Sequence, residues 1–201
     1  LDIRGAGNLL GAEQSGFITD MGYETYQKIL AEAMEELGVE TGISTVHTDE
    51  SVVEDCTIET DQPAMIPDSY IDITAEKIRI YKQLDSMTSD KEIDRIKSQL
   101  VDRFGEMPLE LDNLFDVVKI RNLGGKLGFE KIIIKNGMMI MFFIANQMSP
   151  YYKSKVFTGI LQNINANDRL FNLKQSEGKL KIVSRGIDSL PKALQTLNIL
   201  K

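Results

Sequence analysis

Between Asp90 and Phe104, apolar side chains recur at Ile93, Ile96, Leu100, Val101 and Phe104, the three-to-four residue spacing that lines up one wall of a helix. The opposite wall carries Arg95, Ser98, Gln99 and Asp102, a polar stripe that must face water or a partner. Ser89 with Glu92 three residues on reads as a capping box, and Gly105 followed by Pro108 reads as the stop. A second amphipathic helix precedes this one, from Thr74 to Met87, with Ile78, Tyr81, Leu84 and Met87 as its buried row. The two form a helical hairpin, and on pattern alone such a hairpin only packs a domain.

Beyond it, Leu111, Leu114, Phe115, Val118 and Leu123 continue a helical stripe from Leu109 to Leu127, ended by Gly128. Gly124 and Gly125 fall inside that helix, where each costs roughly 1 kcal/mol against alanine. The pair predicts either a close approach by a neighbour or fraying. Phe129 to Lys135, Asn136-Gly137 and Met138 to Ala145 spell a hairpin, since Asn-Gly supplies the positive φ of a tight turn. The apolar runs, including Met138, Met139 and Met141, predict strands covered on both faces. Ser149-Pro150 starts a helix with Val156, Phe157, Ile160, Leu161 and Ile164 on one face. A second hairpin follows, Arg169 to Gln175 and Lys179 to Ser184, with Leu170, Leu180 and Ile182 pointing inward. A last helix from Ser189 buries Leu194, Leu197 and either Ile199 or Leu200. The fold class is α+β: a helical block, then an antiparallel sheet built from two hairpins with intervening helices, all preceded by a Gly-rich loop and a helix.

Upstream, Met21 to Leu37 is helical in pattern, with Met21, Tyr26, Ile29, Leu30, Ala33, Met34 and Leu37 apolar and Gly38 as its stop. Val39 to Glu54 loses periodicity and fills with Thr, Ser, Glu and Asp, so a domain boundary belongs there. Glu54 to Thr60 reads as a short strand with Cys56 and Ile58 pointing one way. The formal charge of −7 over 201 residues disfavours a chain that wraps nucleic acid. Lys153, Lys155, Lys174, Lys179, Lys181 and Arg185 read as cations scattered over solvated faces. The single cysteine excludes an internal disulfide and points to a reducing compartment, and one histidine, His47, cannot form a metal cluster. The apolar run from Gly137 to Ala145 is too short to span a bilayer, so no membrane role is expected.

The first residues, LDIRGAGNLLGAEQSGFI, read as the interior of a longer protein. Their glycines fit neither a phosphate loop nor a dinucleotide fingerprint. The pattern Asp2-x-Arg4-Gly5-x-Gly7-x-x-Leu10-Gly11-x-x-Gln14-Ser15-Gly16 resembles the element after the last helicase motif in the RecG and transcription-repair coupling factor translocases. There the loop couples nucleotide-dependent motor movement to stepping on duplex DNA. The resemblance implies that role for Arg4 and Gln14, with Gly5, Gly7 and Gly11 shaping the loop. Tyr70-Ile71, Tyr81-Lys82, the Glu92 to Lys97 stretch, Asp102-Arg103-Phe104-Gly105 and Pro108 in turn resemble the C-terminal domain of the coupling-factor family, which RecG lacks.

The resemblance covers nearly the whole chain and implies three parts: 1–38 the end of a RecG-like translocation lobe, 39–54 an acidic linker, and 55–201 a C-terminal regulatory domain. It implies a bacterial, cytoplasmic parent that displaces stalled RNA polymerase by ATP-driven translocation on duplex DNA and recruits the repair protein UvrA. ATP and Mg belong to the parent motor; the fragment itself is expected to bind no cofactor, hold no metal and catalyse nothing. In the family the C-terminal domain docks on a UvrB-like N-terminal module of the same protein and masks the UvrA surface. The docking positions match Gln99 and Asp102, with Arg95 and Ser98 on the same stripe. A glutamine stands where the family has an acid, which removes one ion pair. The alternative is an auxiliary DNA-binding domain of a RecG-like helicase.

Overall fold

The computed structural model describes Val53, residues 55–176 and residues 178–201; the Gly-rich loop, the Met21–Leu37 helix and His47 lie outside the described residues. Five strands form one mixed sheet in the order β1-β2-β3-β5-β4. The hairpin strands are β2 (Phe129–Lys135) with β3 (Met138–Phe143), and β4 (Asn172–Ser176) with β5 (Lys179–Arg185). Both pair antiparallel, as expected. The addition is β1 (Thr57–Thr60), which lies parallel to β2 with Thr57 opposite Lys131 and Thr60 opposite Ile134. Asn136 (φ 53°) and Gly137 (φ 70°) supply the positive angles of the first turn.

Between β1 and β2 run α1 (Thr74–Ser86), α2 (Asp90–Phe104) and α3 (Leu109–Leu127). Helix α3 is the centre of the domain: it lies on β1 and β2, packs along α5 (Leu190–Asn198) and receives α1 and α2. Leu111, Leu114, Phe115 and Val118 are buried on it, as the stripe predicts. Its glycine pair marks a close approach. A Cβ on Gly124 would sit 2.8 Å from Ile132 Cδ1 and 2.9 Å from Cys56 Sγ, and one on Gly125 2.8 Å from the Val53 carbonyl oxygen. Val53 N–H also donates to the Gly125 carbonyl (3.1 Å), so the glycines let helix and sheet meet at backbone distance.

Several expectations need correction. Helix α1 buries Lys77 and Ile80 with Tyr81 and Leu84, while Ile78 is half-buried; the Lys77 stem lines the core and its ammonium pairs with Asp68. Ser89 starts α2 without any side-chain cap bond, and Gly105 (φ 88°, ψ −157°) ends it outside the left-handed helical region. Val101 is exposed because it lies about 100° around the helix from Leu100. The helix after Ser149 is two pieces, a 3-10 turn over Pro150–Lys153 and α4 (Lys155–Ala166), broken at Ser154, whose hydroxyl caps α4 by accepting from Phe157 N–H (3.2 Å). Leu170 is exposed and Phe171 takes its place in the core; at the C-terminus Leu200 is buried and Ile199 is not.

The expectation of strands covered on both faces also fails. Ile132, Ile134, Met139, Met141 and Ile182 face the core, whereas Ile133, Ile140 and Phe142 are half-buried on the other face, because successive side chains of β2 and β3 point to opposite sides of the sheet.

Leu100, 6% exposed under α2, anchors the helix whose other wall is the polar stripe. Leu100→Ala is expected to cost about 2–5 kcal/mol in urea denaturation; an unchanged midpoint would mean that α2 faces the other way.

Candidate functional site

The polar wall of α2 stands where the sequence placed it: Arg95, Ser98, Gln99 and Asp102 are all exposed. From Arg95 to Asp102 the axial rise is about 10 Å, so the four form a compact strip. The rest of the helix is clamped from both sides. Asp94 pairs with Lys119 of α3 (2.7 Å), Lys97 with Asp112 of α3, and Arg103 with Glu76 of α1 (2.5 Å). Glu76 also takes Arg79 (2.6 Å), and these guanidiniums, Arg79 first, hold its carboxyl below the usual carboxylate range. Tyr70 Oη donates to the carbonyls of Leu100 (3.0 Å) and Gly105 (3.1 Å), closing the C-terminal end. Ser98 Oγ donates to the Asp94 carbonyl within its own helix (3.0 Å). By contrast, no hydrogen bond or ion pair among the described residues engages the side chains of Arg95, Gln99 or Asp102. The helix thus presents a guanidinium, an amide and a carboxylate on one exposed wall, groups able to form charge-assisted hydrogen bonds.

Cys56 is buried between Gly124 and the sheet, and desolvation pushes its thiol up to about 12, the opposite of an activated nucleophile. Among the described residues no group of His, Cys, Asp and Glu is placed to hold a metal, and none of the described helices is long and apolar enough to cross a membrane.

Residues 60–154, which include the whole of α2, match the family model described as the TRCF domain. This segment belongs to the TRCF domain family. The transcription-repair-coupling factor of Rickettsia conorii is 36% identical over 148 residues, covering 71% of this chain and 12% of that protein. That of Rickettsia bellii is 32% identical over 187 residues (89% and 16%), and that of Escherichia coli 32% over 165 residues (81% and 14%). The chain therefore spans 12–16% of the length of these three curated relatives. A crystal structure of the C-terminal domain of transcription-repair coupling factor has the same fold, with a TM-score of 0.61 at 17% identity, covering 73% of this chain and 89% of that one.

Within the TRCF domain the structure gathers Arg95, Ser98, Gln99 and Asp102 on one wall; Arg4, Gly5, Gly7, Gly11 and Gln14 lie outside the described residues. The expectation about the basic residues changes. Lys174, Lys179, Lys181 and Arg185 are not scattered, because they alternate on β4 and β5 and share one sheet face with Lys131 and Lys135. The signal was in the charge distribution: residues 117–201 hold 14 Lys and Arg against 4 Asp and Glu, a polarity hidden by the average of −7.

Proposed function

We propose that the chain is the regulatory end of a bacterial, cytoplasmic DNA translocase that removes stalled RNA polymerase and recruits UvrA, and that its TRCF domain docks through α2 on the UvrB-like module of the same protein. Docking covers the surface that UvrA uses, so the domain acts as an autoinhibitory cover and has no catalytic step of its own. Hydrolysis of ATP with Mg belongs to the motor that precedes it. Residues 1–38 are the end of that motor, with Arg4 and Gln14 in its coupling loop, 39–54 are the tether, and 55–201 are the cover. The observation that carries this reading is the contrast on α2: Asp94, Lys97 and Arg103 are held by ion pairs to α1 and α3, while Arg95, Gln99 and Asp102 are exposed and their side chains meet no hydrogen-bond or ion-pair partner among the described residues.

The amide at Gln99 leaves Asp102 as the one carboxylate on the strip, so binding is concentrated there. Reversing it tests the reading. With the UvrB-like module titrated against the chain by calorimetry, Asp102→Lys is expected to weaken association at least tenfold, because it replaces an attraction by a like-charge contact. The exposed position predicts a melting midpoint equal to that of the unsubstituted chain. Equal affinity for both chains would overturn the proposed docking.

A further inference from the structure

The sheet has an open face that the α2 reading does not use. Strand register places Lys131, Phe142, Lys181 and Lys174 side by side in one row across β2, β3, β5 and β4. The next row is Ile133, Ile140, Val183 and Asn172. None of these apolar residues belongs to the core packed under α3. Ile133, Ile140 and Phe142 remain half-buried, and Val183 is buried although it lies outside that core. The result is an apolar centre bordered by cations.

The charges on this face are arranged at a cost. Lys174 stands directly opposite Lys181 across an antiparallel pair, a like-charge juxtaposition that weakens a sheet. Lys181 Nζ lies 5.6 Å from the Phe142 ring centroid, which lessens the repulsion without supplying an anion. At the other side of the sheet Glu59 of β1 takes both Lys131 (2.5 Å) and Lys135 (3.1 Å). No such carboxylate among the described residues meets Lys174, Lys181 or Arg185. The face therefore calls for an acidic surface with an apolar stripe. Bases of a nucleic acid fit it less well, because stacking needs aromatic platforms and the two central rows offer one, Phe142.

The chain contains a segment of that chemistry. Residues 20–37 hold five acids, Asp20, Glu24, Glu32, Glu35 and Glu36, against Lys28 alone. At helical spacing Tyr26, Ile29, Leu30, Ala33 and Leu37 fall on one side, with Glu36 about 80° and Asp20 and Glu32 about 120° from its centre, on the flanks where they can meet cations that border an apolar surface. Fifteen residues separate Leu37 from Val53, and a chain of that length spans about 20 Å, close to the width of a five-stranded sheet at about 4.8 Å per strand. Val53 is tied to α3 at Gly125, beside the β1 edge. A tether of this length holds its segment at millimolar effective concentration.

We propose that the open basic face of the sheet is the docking surface for the chain's own acidic amphipathic segment, residues 20–37. In a parent whose motor ends in this segment, the contact fixes the regulatory domain against the motor's exit. It is independent of α2: Asp102→Lys leaves it intact, so the two proposals fail separately.

The test is hydrogen exchange of residues 20–37 in the full 201-residue chain, compared with Lys174→Glu/Arg185→Glu. A segment of this length is marginal as a free helix in water, so protection reports docking. The expected result is slowed exchange across 26–37 in a monomeric chain, lost at least tenfold in the double variant and at high salt. Because Lys174→Glu converts a repulsive cross-strand pair into an attractive one, the variant's melting temperature is expected to hold or rise, separating lost docking from lost folding. Exchange over 26–37 that is equally slow in both chains, or fast in both, overturns the proposal. So does protection that appears only in dimers, or a face that instead binds single-stranded oligonucleotide through Lys174 and Arg185 while 26–37 stays unprotected.

Discussion

Gly128→Ala is expected to destabilise the domain by about 3–5 kcal/mol in urea denaturation, far above the usual effect of adding one methyl group. Gly128 ends α3 with φ 85° and ψ 27°, a left-handed conformation that costs a residue with a Cβ roughly 1–2 kcal/mol. The larger part is steric. An added Cβ would overlap the Tyr151 ring and approach its hydroxyl to 2.7 Å. That ring cannot swing aside, since it is held edge-on by Phe157 (5.5 Å between centroids) and Tyr152 (5.4 Å), and its hydroxyl donates to the Leu127 carbonyl (2.6 Å). Moving it breaks both the ring contacts and a buried hydrogen bond. In a Tyr151→Leu background the added penalty of Gly128→Ala should shrink to the backbone part, about 1–2 kcal/mol. An unchanged penalty in that background would show that the ring is not the obstacle.

Arg121→Ala is expected to cost about 2–4 kcal/mol by the same measurement. The Arg121 side chain comes from α3 and is nearly buried against the end of α1, where it donates to Asp85 Oδ1 (2.5 Å) and to the Asp85 carbonyl (2.9 Å). It thereby satisfies a carbonyl that a helix end leaves without an intrahelical partner. Asn122 reinforces the joint by donating to the Met87 carbonyl (2.8 Å). Asp85 is partly exposed, so solvent offsets some of the loss, and the figure sits below that for a fully buried pair. Arg121→Lys should recover only part of it, because one ammonium cannot reproduce the planar fork. Full recovery by lysine would mean that charge alone, and not the guanidinium geometry, holds α1 to α3.

Where local chemistry decides structure, the sequence was readable. Gly128 stops α3 at the expected residue, Asn136-Gly137 turns the first hairpin, and the spacing of Ile93, Ile96 and Leu100 against Arg95, Gln99 and Asp102 separates the two walls of α2. What stayed hidden depends on distant partners. The pairing of Thr57–Thr60 with Lys131–Ile134 joins segments more than 70 positions apart, and no local pattern carries that register. Lys77 and Arg121 are buried because Asp68 and Asp85 meet them, which residue type alone conceals. The run from Lys131 to Lys135 is apolar at three consecutive positions, so it looked covered on both sides until the sheet showed which face α3 takes. The strip on α2 was legible as exposed; the ion pairs that clamp the helix around it were not.

The central claim is that α2 closes the chain against its own UvrB-like module through Asp102. It is tested most directly by UvrA capture in the full-length parent protein, in the absence of RNA polymerase. Asp102→Lys is expected to raise UvrA binding at least tenfold over the unsubstituted protein, with the fold of the domain unchanged. UvrA binding that stays at the unsubstituted level would contradict the account.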